Sequence, residues 1–396
     1  MADTLSKRLS TGLLTAYGVG IMVGAGIYVL VGYAAGAAGV WAPLAFLVAG
    51  LVAVPSALSF AELSSRIPEA AGDSAYVEHG LRAHWLAMLV GFINIAAGVI
   101  GGAAVLRGGV GYLTALVPVD PMAAMIALGV GLTLIAVVGV VESLAFAAIL
   151  TAVEVVGLLL VVGAGFSAPA TLDWSAPVSL HVPGVFAAAI FAFFAFLGFD
   201  DLVNMAEEAR DPARQMPRAI LWSLAITSVL YAVVTLAAVR AVPLADLAAS
   251  ERPLALVWSA ATGTPAHFLS SIAVAAALNG VLAQVVMAAR VLFGLGRRSA
   301  ALAVFHHAHP RFATPVLATL LTGAATVGAA LALPVALLAE YTTIALLVVF
   351  TIVNAALIGV KRLPDPSPFS VPAIVPWLGI LGSVMLFVVN IQELLP

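Results

Sequence analysis

The 396-residue chain is 63% hydrophobic and only 9% charged, and its mean hydropathy is +1.16. Soluble domains carry about 25% charged residues, so this composition excludes a water-soluble fold and points to an integral membrane protein with many spans. The net charge of −3 offers no basis for a nucleic-acid partner, and the lack of cysteine excludes disulfides, thiol catalysis and thiolate metal sites.

The polar start MADTLSKRLS runs directly into a long apolar segment without the small-residue cleavage site of a signal peptide, so the first span reads as retained. Eleven spans follow from hydropathy: 11–37, 41–65, 82–112, 122–140, 144–166, 184–206, 217–240, 265–296, 313–332, 335–360 and 371–394. With the N-terminus inside, the inner ends receive Lys7, Arg8, Arg66, Arg82, Arg210, Arg214, Arg218, Arg297, Arg298, Arg311, Lys361 and Arg362. The outer ends receive Arg240 and Arg252. This bias predicts an N-terminus inside and a C-terminus outside, in a cytoplasmic (inner) membrane.

The first span contains AYGVGIMVGAGIYVLVG, Ala16 to Gly32, with glycine where a helix should be continuous. The connection Arg66 to Leu81 is polar and carries Pro68 and Gly72, which predicts a short amphipathic inner segment. Arg107, in the outer third of span 3, is expected to snorkel to the outer interface, with pairing near the outer vestibule as the alternative. Glu154 stands mid-span in LTAVEVVGLLLVV, and an ionised group at that depth usually pairs, protonates or does work. Its structural alternative is a hydrogen bond to Asn279 or Gln284.

The sixth span, FAFFAFLGFDDLVNMAEE from Phe191 to Glu208, is again apolar and interrupted by glycine. Asp200 is expected to steady that turn. Glu207 and Glu208 with Arg210, Arg214 and Arg218 form a mixed-charge inner loop. Val242 to Gly263 is a long outer connection whose stretch Leu254 to Ala261 is too short to span and predicts a lid-like helix. His306, His307 and His309 lie in an inner loop, where an interface role outweighs adventitious metal binding.

Backbone in hydrocarbon must be hydrogen-bonded, so a broken helix is tolerated only inside protein or beside a water-filled cavity. The breaks fall at Gly24–Gly26 and around Gly198, five spans apart. An odd number of spans per half gives the halves opposite orientation, the arithmetic of an inverted repeat with a solute site near the midplane. The chain then reads as one transport domain, 1–396, with repeats at 11–166 and 184–360 and an extra span at 371–394.

These residues resemble a known family. GVGIMVGAGIYVLVG is similar to the first-span signature of the amino acid–polyamine–organocation (APC) superfamily. FFAFLGFDDLVNMAEEARDPARQMPRAI, Phe193 to Ile220, resembles that family's sixth span and following loop. NGVLAQVVMAARVLFGLGRR with HPRFATP, and FTIVNAALIGVKR, are similar to its spans 8 and 10. The resemblance implies a LeuT-type 5+5 inverted repeat with discontinuous spans 1 and 6, and transport of amino acids or related amines.

It also implies a site. N–H groups of Gly24, Ala25 and Gly26 would meet a substrate carboxylate, favoured by the positive end of a half-helix. Ile21 and Met22 carbonyls, with Phe196, Leu197, Gly198 and Phe199, would face the amine and side chain. Asn279 is either a pocket residue or an inter-helix hydrogen bond. The chain departs from the family at Ala25, where many relatives have Ser or Thr. Glu154 aligns with a Lys of proton-coupled relatives, so it reads as the coupling group or as a direct partner for a cationic substrate. The stretch AALNGVLAQVVMAAR lacks the hydroxyls of the family's second sodium site, leaving a proton as the coupling ion.

The expected function is secondary active transport by alternating access, with an exporter or uncoupled exchanger as the alternative. An intramembrane enzyme lacks a nucleophile–base pair or HExxH motif, and a channel would need a polar pore lining. No metal or cofactor is expected, and the chain is expected to work as a monomer or homodimer.

Overall fold

The computed structural model describes residues 9–68, 72–138, 144–171, 179–309, 312, 314–363 and 369–394. Lys7, Arg8 and Arg311, and the side chains of Ala25, Glu207, Glu208 and Arg297, lie outside the described residues. The described elements are helical, as composition requires: a backbone in hydrocarbon has few other ways to satisfy its polar groups. Eleven helices are fifteen residues or longer: α1 (Thr11–Ala38), α2 (Ala42–Arg66), α4 (His84–Leu113), α5 (Pro121–Val138), α6 (Leu144–Ser167), α7 (Val182–Phe196), α8 (Pro212–Ala241), α11 (His267–Arg298), α12 (Val316–Ala332), α13 (Val335–Val360) and α14 (Ile374–Leu394). Three short ones join them: α3 (Gly72–Leu81), α9 (Leu244–Ala249) and α10 (Pro253–Thr262).

Among the described residues, eight stretches are long and apolar enough to cross a membrane on their own, one of which, Gly26–Arg66, runs through the second part of α1 and all of α2. Thr11–Gly24, Val316–Ala332 and Ile374–Val389 are shorter apolar helices. Outward-facing Leu51, Val229 and Leu381 are 71%, 64% and 63% exposed, as lipid-facing side chains should be.

Helix ends are tied by long-range polar bonds. Arg240, at the end of α8, donates from Nη1 to the carbonyls of Gly165, Phe166 and Ala168 at 2.9, 3.1 and 2.6 Å. It therefore satisfies the orphan carbonyls that close α6, with its charge at the negative end of that helix. Arg107 reaches the closing turn of α12 and donates to Ala330 O at 2.7 Å.

At the opposite end of the bundle, Glu62 of α2 is fully buried and meets Arg66 and Lys361, each at 2.6 Å. It also accepts from the Val371 N–H at 2.8 Å, which fastens α2 to the start of the segment leading into α14. One layer deeper, Asn354 of α13 accepts from Ser59 Oγ at 2.6 Å and donates to Ser56 Oγ at 2.9 Å.

Two connections differ in kind from surface loops. The segment after α2 forms α3, whose Gly72 to Val77 are buried, so it is a packed element and not an amphipathic surface helix. Gly80 and Gly359 bring α3 and α13 into backbone contact; a Cβ on Gly359 would stand 2.0 Å from Gly80 O. The lid-like helix expected at Leu254 to Ala261 is α10, preceded by the single-turn α9.

Candidate functional site

Helix α1 departs from helical geometry at one residue, Gly24 (φ −13°, ψ −161°). The sixth-span helix α7 stops at Phe196, and Leu197 turns extended (φ −62°, ψ 136°). Gly198 follows at φ +127°, a region closed to ordinary side chains. A 3-10 helix then runs over Asp201–Glu208 before α8 begins. The Gly198 N–H donates to Asp200 Oδ1 at 2.9 Å, so the carboxylate two residues on holds the turn.

The interruptions face one another. A Cβ on Gly26 would lie 3.3 Å from Ala195 Cα, and one on Gly198 would lie 2.3 Å from Ile21 Cγ2. Gly26 is thus favoured by close approach, and Gly198 by close approach and by its positive φ. Tyr231 of α8, fully buried, ties the two sides: its hydroxyl lies on Met22 O and 3.0 Å from Ala195 O.

Between the breaks opens a cavity of about 310 Å³. Of the residues expected at the site, Ile21, Met22, Gly24, Gly26, Leu197, Gly198 and Asn279 line it. A Cβ on Gly24 would meet nothing within 4 Å, so the backbone there borders open space. Ala25 lies between these glycines in the chain, and its side chain is among those not described.

Phe196 and Phe199 lie elsewhere. Phe196 packs on Tyr231 with ring centroids 5.1 Å apart, and Phe199 on Phe350 at 5.2 Å. Both are fully buried behind the break, where aromatic contacts stiffen the turn. Residues that the sequence did not single out complete the lining, Tyr17, Thr151, Phe194 and Thr342, together with Gln284, expected only as a partner for Glu154, and small residues Gly98 and Gly101 of α4 make room.

The cavity continues past the breaks towards α3. Gly72, Asp73, Ser74, Arg290 and Arg298 line that end. Asp73 accepts from Asn94 Nδ2 at 2.7 Å, and burial together with the nearby Asp200 charge pushes its carboxyl up to about 7. Arg298 pairs with Glu78 of α3 at 2.6 Å beside this mouth. At the other end, Tyr33 of α1 stacks on Phe191 of α7 with centroids 5.7 Å apart. The lid helices press on the same part of α1: a Cβ on Gly32 would stand 2.6 Å from Leu247 O.

Glu154 does not line the cavity; it sits behind the first break. It is 4% exposed, and its Oε2 has no hydrogen-bond partner among the described residues. Neither Asn279 nor Gln284 reaches it; both belong to the cavity wall. Its backbone carbonyl accepts from Tyr28 OH at 3.2 Å, and Tyr28 O in turn accepts from Tyr112 OH at 2.6 Å. One turn earlier on α6, Thr151 Oγ1 lies where a Cβ on Gly20 would be, 2.0 Å from it. The α6 face carrying Thr151 and Glu154 is thus packed against the interrupted part of α1.

No group of three or more metal-ligating side chains is close enough to hold an ion among the described residues. His306 instead tilts over Phe293 at 4.3 Å and His309 stacks on Phe312 at 4.8 Å.

The sequence family described as Amino acid permease matches residues 9–394. The chain belongs to this family, within the APC superfamily. It is a multi-pass membrane transporter and not an enzyme. Among its relatives, the "Branched-chain amino acid permease BcaP" of Bacillus subtilis is 28% identical over 97% of this chain and 88% of its own length. The "Methylthioribose transporter" of the same organism is 30% identical over 91% of this chain and 82% of its own. The "Cationic amino acid transporter 2, vacuolar" of Arabidopsis thaliana is 31% identical over 92% of this chain, which spans 61% of that protein.

Proposed function

We propose that this permease is a secondary active transporter of amino acids or related small amines, working by alternating access with a proton as the coupling ion. The observation that carries the reading is the pair of facing helix interruptions, Gly24 and Leu197–Gly198, bordering one cavity. Interrupted helices release N–H groups at the start of one half-helix and C=O groups at the end of another. A zwitterion's carboxylate and ammonium match that pairing. The names of the relatives, amino acid permease and cationic amino acid transporter, agree with such a cargo.

Residues 11–166 and 184–360 act in this reading as two inverted repeats, with the last helix added. The cavity opens towards α3, the end that the Lys and Arg distribution assigns to the cytoplasm, so the geometry suits an inward-open stage of the cycle. Tyr33 on Phe191 would then be part of the closed outer side.

Glu154 suits a proton carrier better than a direct cation partner, because it stands behind α1 and outside the cavity lining. A proton on Oε2 removes the cost, several kcal/mol, of a bare buried charge. Protonation there acts on the wall that supports the first interruption.

Substrate-dependent counterflow in proteoliposomes tests the reading. A preloaded amino acid should drive accumulation of labelled amino acid, and an inward proton gradient should raise the initial rate. Leak without exchange, or exchange indifferent to every amino acid and amine tried, would overturn it.

A further inference from the structure

A second cavity, of about 210 Å³, lies at the lid end of the bundle, between α10 and the start of α11 and apart from the cavity at the breaks. Its wall includes Ser250, Arg252, Ser259, Ala266, His267 and Ser270. These residues supply hydrogen-bond donors and positive charge.

Three observations converge on it. The 32-residue helix α11 starts here, and its N-cap Ala266 offers no side-chain bond to the first turn, whose N–H groups point out of the helix end. Ser270 sits one turn in. It is only 2% exposed and lines the cavity, and among the described residues its hydroxyl has no hydrogen-bond partner. Its neighbours Ser271 and Ser259 each close onto a carbonyl four residues back at 3.0 Å, the usual outlet for a helical serine. Ser270 leaves that outlet unused and keeps its hydroxyl for the cavity. Arg252 is exposed at the rim, and its guanidinium makes no ion pair among the described residues. The adjacent Glu251 is not part of the lining; its Oε2 lies 3.8 Å from where a Cβ on Gly111 of α4 would stand.

We propose that this lid-end cavity binds a small oxyanion, a carboxylate or phosphate group, held by Arg252, the Ser270 hydroxyl and the first-turn N–H groups of α11. A helix N-terminus favours negative charge, and the guanidinium fork matches two oxygens of either group. The site joins α10 to α11, so an occupant would fasten the lid to the helix that carries Asn279 and Gln284. The inference is independent of the nature of the transported solute.

The test uses the purified full-length chain in nanodiscs of neutral lipid, with unfolding temperature followed against inorganic phosphate, acetate and added phosphatidylglycerol at constant ionic strength. A ligand of the folded state raises that temperature saturably. Saturable stabilisation by phosphate or acetate identifies a free oxyanion as occupant; stabilisation by phosphatidylglycerol alone identifies a lipid headgroup. In either case Arg252→Gln should weaken binding roughly tenfold and Ser270→Ala severalfold, while Asn279→Ala at the other cavity should leave it unchanged. The absence of saturable stabilisation from all three probes, or equal stabilisation in wild type, Arg252→Gln and Ser270→Ala, would overturn the proposal.

Discussion

The Tyr231 hydroxyl donates to the Met22 carbonyl, and the same oxygen lies 3.0 Å from Ala195 O. One side chain on α8 therefore serves both helix interruptions. Carbonyls released by a break are acceptors without donors, and each left bare in an apolar interior costs about 1–3 kcal/mol. Tyr231→Phe keeps the ring packed on Phe196 and Phe46 and removes only the donor. Substrate affinity should fall by about tenfold, with a loss of roughly 1–2 kcal/mol in stability. Radioligand binding and thermal unfolding measure the two effects separately; unchanged affinity would show that the strut does not shape the site.

Gly198 resists an added atom for two reasons at once. Its φ of +127° and the 2.3 Å approach to Ile21 Cγ2 act together. Gly198→Ala should cost about 1–3 kcal/mol through backbone strain alone and push the two breaks apart. Binding should be lost before folding is. The outcome that contradicts this is normal affinity in a folded Gly198→Ala protein.

Glu154→Gln preserves shape and removes the titrating proton. Uptake by the variant should lose its dependence on pH and on a proton gradient, while exchange of one amino acid for another persists. Initial rates from pH 5 to pH 8 decide it. A wild-type pH profile in Glu154→Gln would take Glu154 out of the coupling step.

Asp73 gives a stability signature of the opposite sign from that of a salt-bridged carboxylate. Its carboxyl is raised to about 7, against about 3.9 in an unfolded chain, so the folded protein holds more protons between those values. Stability contributed by protonated Asp73 is present below about pH 4 and is lost as pH rises to about 7. Asp73→Asn should therefore be more stable than wild type at pH 8, by a few kcal/mol at most, and no more stable at pH 4. Unfolding temperature against pH for both proteins checks the slope; parallel curves would contradict it.

Much of this architecture was legible from glycine spacing and hydropathy. The eleven long helices follow the apolar segments, and the interruptions fall where glycine crowds spans 1 and 6. Lid helix α10 was visible because a short apolar stretch between polar turns cannot cross a bilayer. Tyr231 was not legible: a tyrosine in an apolar span looks like packing until a second helix brings carbonyls to its hydroxyl. Asp73 was hidden for a similar reason. Local sequence makes its segment look like a solvated linker, and its burial shows only once the fold brings α3 against α13, where Gly80 and Gly359 meet. Phe196 and Phe199 show the converse, since a motif fixes their place in the chain but not which side of the turn their rings occupy. Arg107 found a helix-end carbonyl that no local pattern announces.

The central claim is that cargo sits in the cavity between the two interruptions. The chain contains no cysteine, so a single introduced thiol reports on one place alone. Ala283→Cys lies on the cavity wall and Ala249→Cys on the exposed lid helix α9. Maleimide labelling of each is measured with and without the amino acid that counterflow identifies, at about ten times its dissociation constant. Occupancy should slow labelling of Ala283→Cys by roughly tenfold and leave Ala249→Cys unchanged; equal labelling of Ala283→Cys with and without cargo would contradict the account.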